Sequence, residues 1–244
     1  MGFDERFAAL DPDVWTAAYL PAWSSRAAAA ATFTVGDDGL TLSIPADHPL
    51  WCPDLHETPL RVSAIASANR SGPVGSTDAP QPFRDGLVVR EEQPTVLGFT
   101  PHFGAIAVTC TANLTARSMF SAWMVGLEDR PDRCGEICLM EAFGNTIDGG
   151  TAEVGQGIHR FRDPALREDF SAQRRNIDIT RPHTYAAHWR PGSVEFTIDG
   201  EVTRICTQAP DYPMMLILGV FDFPDQPGDS SHLPSMRVTH VTQH

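Results

Sequence analysis

The chain has 244 residues and carries 18 Lys and Arg against 31 Asp and Glu, a net charge of −13 at pH 7. That acidity argues against nucleic acid or an anionic membrane as partner, and it disfavours any other acidic polymer. Hydrophobic residues make up 42%, ordinary for a soluble protein; no apolar run approaches the ~18 residues of a membrane span, and one domain over residues 1–244 is expected.

Five cysteines, Cys52, Cys110, Cys134, Cys138 and Cys206, form no disulfide framework by count or spacing. Cys134 and Cys138 lack a second pair at ligand spacing, so no metal site is read there. No cofactor is expected, and the protein is expected to be a monomer. The N-terminal MGFDERFAALDPDVW has neither a basic n-region nor an apolar h-region, so no signal peptide is read, and the compartment is left open.

In chain order, residues 1–14 read as a peripheral turn or short helix. Residues 27–31 are an alanine run, but Thr32, Phe33, Thr34 and Val35 before Gly36-Asp37-Asp38-Gly39 read as a strand entering a turn. Leu40, Leu42 and Ile44 alternate with Thr41 and Ser43 as a half-buried strand. Residues 45–59 form a loop around Trp51, and residues 60–66 are a strand. The polar stretch 67–86 is a long loop, a length that marks functional or mobile segments. Short strands are expected over 87–91 and 95–99, and a clear alternating strand over 105–111. A strand over 118–127 and a loop over 128–134 precede GEICLMEAFG, residues 135–144. Residues 160–182 are charged and irregular, with one helical turn at 164–170. Residues 194–205 make a hairpin about Asp199-Gly200. Residues 214–221 read as a strand buried on both faces, and 236–241 close the fold. Many short strands with almost no helix point to an antiparallel β-sandwich.

The stretch 135–144 demands an explanation. It places Glu136 and Glu141 at the two ends of the apolar run Ile137, Cys138, Leu139 and Met140, and a buried carboxylate is costly unless paired or turned to a wet cleft. Strict alternation points Glu136 and Cys138 one way and Glu141 the other. One extra residue in a β-bulge brings Glu141 onto the face of Glu136 and Cys138. The two Cα atoms then lie about 13 Å apart, and side chains leaning inward reach the ~5–5.5 Å carboxyl separation of a retaining glycosidase.

GEICLMEAFG resembles the active-site strand of glycoside hydrolase family 16, the laminarinase and lichenase family, whose bulged pattern is Glu-x-Asp-x-x-Glu, commonly after Gly. Gly135, Glu136 and Glu141 match; Cys138 stands where the family has Asp. Ser121-Ala122-Trp123-Met124, Phe103-Gly104, HTYAAHWRPGSVEFTID over 183–199, Tyr19-Leu20-Pro21-x-Trp23 and Met236-Arg237-Val238 extend the resemblance over residues 15–244. It implies a concanavalin A-like jelly roll with a concave substrate groove. It also implies a retaining endo-hydrolase of a neutral polysaccharide, such as a β-1,3- or mixed-linkage glucan, with galactan as a further candidate. A lectin-like glycan-binding module and a transglycosylase are the competing classes on the same scaffold.

By that resemblance Glu136 is the nucleophile and Glu141 the acid/base. Cys138 is the departure that matters: a neutral thiol in place of the family's Asp removes a negative charge, which should lower the pKa of both glutamates. A second departure is Pro131, which stands where many members have the Trp of a Trp-Pro pair that stacks on sugar. Trp123 is a candidate replacement face, with core packing as the other reading, and Trp51 and Trp23 are similar. Trp189 reads as core. Asn69 and Arg70 in the long loop, and His102 and His159 by resemblance, are candidate substrate-binding residues. Family members often carry a structural calcium, but no ligand cluster stands out. His56-Glu57 has no HExxH partner, Ser24-Ser25 and Ser230-Ser231 lack a nucleophile elbow, and Gly155-x-Gly157 is followed by no helix pattern.

Overall fold

A computed structural model describes residues 2–229 and 232–244, so Ser230-Ser231 lies outside the described residues. The strands are β1 (Phe3–Glu5), β2 (Thr32–Gly36), β3 (Gly39–Ser43), β4 (Arg61–Ala66), β5 (Ala68–Asn69), β6 (Val96–Leu97), β7 (Gly104–Asn113), β8 (Ser118–Gly126), β9 (Glu136–Phe143), β10 (Ala152–His159), β11 (Asp169–Arg175), β12 (His183–Arg190), β13 (Ser193–Ile198), β14 (Glu201–Cys206), β15 (Met214–Asp222) and β16 (Ser235–Gln243). The helical segments among the described residues are two single 3-10 turns, Pro21–Trp23 and Gly144–Thr146.

Two antiparallel sheets face each other as a jelly-roll sandwich. The larger runs β14-β13-β12-β7-β16-β3-β2, with β1 also on β16; the smaller runs β11-β10-β9-β8-β15-β4. The core between them takes one side of each strand. Ile106, Val108, Cys110 and Ala112 of β7 meet Phe120, Ala122 and Met124 of β8 and Leu216, Leu218 and Val220 of β15. The other face of the smaller sheet is covered too. Met119, Trp123 and Val125 of β8 and Met215, Ile217 and Phe221 of β15 form a second apolar layer under loops that bring in Trp23, Trp51, Leu87 and Val89. This double cover is why MMLILGVFD is buried from end to end.

Several expectations need correction. Residues 3–5 are a strand, since β1 pairs with residues 241–243 of β16. Residues 169–175, read as irregular, form edge strand β11; Phe170 is its one large apolar residue, so the segment shows little apolar alternation. Residues 87–91 are not a strand: Leu87 and Val89 are buried as packing for the second apolar layer. The alanine run makes turns before β2, as its neighbours indicate. The Asp199-Gly200 hairpin turn has φ of 52° and 83°, the two left-handed residues of a type I′ turn.

Asp222, at the end of β15, is buried beneath two arginines. It accepts from Arg117 Nε at 2.7 Å and Nη2 at 3.0 Å, and from Arg61 Nη1 at 3.2 Å. The pairing joins the ends of β4, β8 and β15. All five cysteines are buried and free.

Gly157 of β10 has φ +144°, and a Cβ there would lie 2.2 Å from the Asp169 carbonyl oxygen and 2.7 Å from Phe170 Cα. Gly157→Ala is therefore expected to cost about 1–3 kcal/mol through backbone displacement. Gly36→Ala, whose methyl meets nothing within 4 Å, should stay within about 0.5 kcal/mol of wild type; thermal melts of the two variants check both.

Candidate active site

The register of β9 contains the extra residue. On the β8 side, Ala122 pairs with Met140 and the next residue, Trp123, pairs with Cys138, so Leu139 has no partner of its own. On the β10 side, Gly155 pairs with Glu141 and Gly157 with Cys138, again with a shift. Leu139 and Met140, adjacent in sequence, both enter the inter-sheet core with Ile137 and Ala142. Glu136, Cys138 and Glu141 are left together on the opposite face, where they line one cleft of about 170 Å³ with Tyr19, Gln81, Ser121 and Trp123.

The two glycines of β10 complete this arrangement. A Cβ on Gly155 would lie 2.4 Å from Phe170 Cζ and 2.9 Å from Glu141 Cγ. The Gly-x-Gly spacing thus makes room for the bulge and for the Glu141 side chain.

The two carboxyls are held differently. Glu136 is 8% exposed, and its Oε1 accepts from Gln81 Nε2 at 2.5 Å. Glu141 is half-buried and its carboxyl takes no side-chain hydrogen bond among the described residues. The Cys138 thiol donates to the Gly155 carbonyl at 3.9 Å, a weak bond, rather than to either glutamate.

Burial first, then repulsion from Glu141, Glu168 and Glu128, pushes Glu136 up to about 8, against the Gln81 hydrogen bond. Burial raises Glu141 as well, with His159 opposing. Burial and then the two glutamates hold the Cys138 thiol well above its ordinary value, so it is neutral. Both carboxyls are thus raised even without a charged residue at position 138, because desolvation outweighs the missing charge.

A second cleft, of about 240 Å³, continues past Glu136 and is walled by Tyr19, Trp51, His56, Phe83 and Phe161, with Glu128 and Arg162 among its polar residues. Trp51 donates from Nε1 to the Tyr19 carbonyl at 3.0 Å, and its ring lies 4.7 Å from Phe83 and 5.7 Å from His56, centroid to centroid. On the other side, two residues past Glu141 on the same face, Phe143 is 38% exposed and stacks on Phe223 at 6.0 Å. These two rings border a further hollow of about 310 Å³ with Arg117, Asn145 and Gln226.

The sequence candidates distribute unevenly. Trp123 lies across from Cys138 on the cleft floor, and His159 sits opposite Glu136 on β10, bonded to Glu168 at 2.6 Å and stacked on Phe170 at 4.3 Å. Asn69 is buried and donates to the Pro94 carbonyl at 3.3 Å, so its amide serves the loop. Arg70 bonds the Glu128 carbonyl at 2.9 Å and Asp78 at 2.5 Å, tying two loops beside the cleft. His102 lines none of the three hollows; it pairs with Asp211 at 2.8 Å and stacks on Phe103 near Trp189. Trp23 is fully buried and Trp189 is core, as its alternation indicates.

Sequence reasoning missed Gln81, Glu128, Arg162, Phe83 and His56 as site residues, all of them on loops without periodicity. Tyr19 was noticed only as part of a motif. Among the described residues no cluster of three or more His, Cys, Asp or Glu is placed to hold a metal ion, so no residue is assigned to calcium.

The folded protein holds the Glu136 proton up to about 8, whereas its ordinary value is 4.5. Between those values the native state binds more protons than the unfolded chain, so stability falls as pH rises through that window. Glu136→Gln, which cannot ionise, is expected to be more stable than wild type by a margin that grows from pH 5 to pH 9 and vanishes below 4.5. Denaturant melts across that range check the slope.

No family model matches the chain, and no curated protein matches it in sequence. Solved structures do match. The GlcNAcα1-4Gal-releasing endo-β-galactosidase from Clostridium perfringens superposes with a TM-score of 0.81 at 24% identity, over 99% of this chain and 61% of that one. The present chain therefore spans about three-fifths of that enzyme's length. Crh5 transglycosylase gives 0.63 at 18% identity over 100% and 83% of the two chains. The Bacillus licheniformis β-glucanase gives 0.61 at 14% over 99% and 97%. The likeness is one of fold, and the fold is one that these glycan-processing enzymes share.

Proposed function

We propose that the protein is a retaining endo-glycosidase that cleaves a β-linked neutral glycan. The observation that carries this reading is the bulged β9, which turns Glu136 and Glu141 into one cleft with the first carboxyl held and the second free. A held carboxylate suits the nucleophile and a free one suits a group that must first give and then take a proton.

In this reading Glu136 attacks the anomeric carbon while Glu141 protonates the departing glycosidic oxygen. The C–O bond to the leaving sugar breaks and an ester to Glu136 forms. Glu141, now ionised, takes a proton from water, whose oxygen displaces Glu136 and restores the anomeric configuration. Two neighbouring carboxyls resist double ionisation, so the pair retains a single proton in its working state. The aromatic pocket beyond Glu136 receives the sugar under attack, and the Phe143–Phe223 side receives the leaving chain. The net charge of −13 supports a neutral substrate. β-1,3- and mixed-linkage glucans fit this class, and the 0.81 overlap with an endo-β-galactosidase adds β-galactosides to it.

Reducing-sugar release should be measured on these glucans and galactosides. One of them is expected to be cleaved, with Glu136→Gln and Glu141→Gln each at least about 10³-fold slower. Products longer than the starting oligosaccharide would instead identify an acceptor sugar in place of water. Binding without turnover by wild type would remove the hydrolase reading and leave a lectin-like one.

Cys138→Asp inserts a charge between the two glutamates. It is expected to move the pH–rate profile upward, and an unchanged profile would show that residue 138 does not set their protonation.

A further inference from the structure

Among the described residues the Glu136 carboxyl is served by no donor from its own strand, and its one side-chain donor comes from a loop. Gln81, between β5 and β6, places Nε2 2.5 Å from Glu136 Oε1. The loop is built to hold it there. Gln81 takes a left-handed backbone, φ +51°, and its main-chain N–H donates to Glu128 Oε1 at 2.7 Å. Glu128 is 7% exposed and pairs through its other oxygen with Arg162 Nη2 at 2.5 Å. Arg70 clasps the main-chain carbonyl of the same Glu128 at 2.9 Å. An ordered series of contacts therefore runs Arg162, Glu128, Gln81, Glu136.

The other end of the amide is unspent. Gln81 Oε1 is fully buried and meets no hydrogen-bond donor among the described residues. Gln81 lines both the cleft that contains the two glutamates and the aromatic pocket beyond Glu136. A buried carbonyl without a donor is uncommon and calls for an occupant that supplies one. A sugar ring carries hydroxyl donors around its edge, and the aromatic walls of this pocket suit its apolar faces.

Resting on the reading of Glu136 as nucleophile, we propose that Gln81 is its positioning residue, holding the carboxylate through Nε2 and accepting a hydroxyl of the bound sugar at Oε1. In this chain the loop amide supplies the hydrogen bond that Cys138 does not give. The main-chain contact to Glu128 persists with any side chain at position 81, so the amide can be removed while the loop anchor stays.

The test is Gln81→Met, which keeps the length of the side chain and removes both polar ends. In protein labelled with ¹³C at glutamate carboxyls, the Glu136 signal, assigned by its absence in Glu136→Gln, is titrated by NMR. Facing Glu136 are Glu141 and Cys138 from β9, His159 from β10, Glu128 after β8, Glu168 before β11, and Tyr19. All remain in the variant, so a shift belongs to the amide.

The Glu136 midpoint is expected to rise by about one unit. On the glycan that wild type cleaves, kcat should fall about 10–100-fold and KM should rise. An unmoved midpoint in a variant with a wild-type melting curve overturns the positioning role, and an unmoved KM overturns the hydroxyl contact. If the Met variant does not fold, Gln81→Asn, which tolerates a left-handed backbone and falls one methylene short of Glu136, takes its place. The titration needs no substrate, so if wild type cleaves nothing the glycosidase reading fails on its own while the Glu136 midpoint still decides this proposal.

Discussion

The unpaired Leu139 in β9 is the constraint on which the site depends. A regular strand cannot turn residues 136, 138 and 141 to one face, because the last has the wrong parity. The bulge corrects the parity by sending Leu139 and Met140 together into the core. The neighbouring strand must then yield space at the same level. β10 does so with Gly155, where a methyl would press on Glu141 Cγ, and with Gly157, where it would strike the backbone of β11. The Gly-x-Gly of β10 is a packing complement to the bulge, and the pair of glutamates, the bulge and the two glycines form one unit.

Placing the carboxyls under cover has an electrostatic consequence, seen by comparing two buried acids on neighbouring parts of one sheet. Asp222 is 3% exposed and takes three hydrogen bonds from two arginines, which compensate its charge. Glu136 is 8% exposed and faces one neutral amide, with three other glutamates raising its pKa. The first arrangement stabilises the sheet. The second leaves a charge poorly compensated, so the group holds a proton towards neutral pH at a cost in stability, as sites that need perturbed acids commonly do.

Much of this was legible in the sequence where side chains repeat with a period. The alternation of β7, the unbroken apolar run of β15 and the Asp-Gly turn between β13 and β14 follow directly from local pattern. The bulge was readable because two acids of opposite parity at the ends of a buried strand needed one. Where local pattern and environment diverge, the reading failed. β11 is an edge strand with one large apolar residue, β1 is three residues held by the far end of the chain, and Leu87 and Val89 alternate to pack into the second apolar layer without joining a ladder. His102 has the right residue type, yet the chain carries it to Asp211 and away from the clefts. The length of the 67–86 loop marked the segment that holds Gln81, but nothing singled out Gln81 or Glu128 within their loops, since their roles come from residues 47 apart in sequence meeting at one hydrogen bond.

The chemistry of that loop contact fits what the dyad requires. A lysine or arginine against Glu136 would hold the carboxylate firmly, as the arginines hold Asp222, but it would also cancel much of the charge that keeps a proton on the pair. A neutral amide orients the carboxyl and leaves most of its charge uncompensated. The cation of this series, Arg162, stands between β10 and β11 and is one step removed: it pairs with Glu128, and Glu128 in turn accepts from the Gln81 main-chain N–H. Order is thereby transmitted to Glu136 from a salt bridge without placing a positive charge in contact with it, which fixes one buried carboxyl in position and leaves the pair able to share a proton.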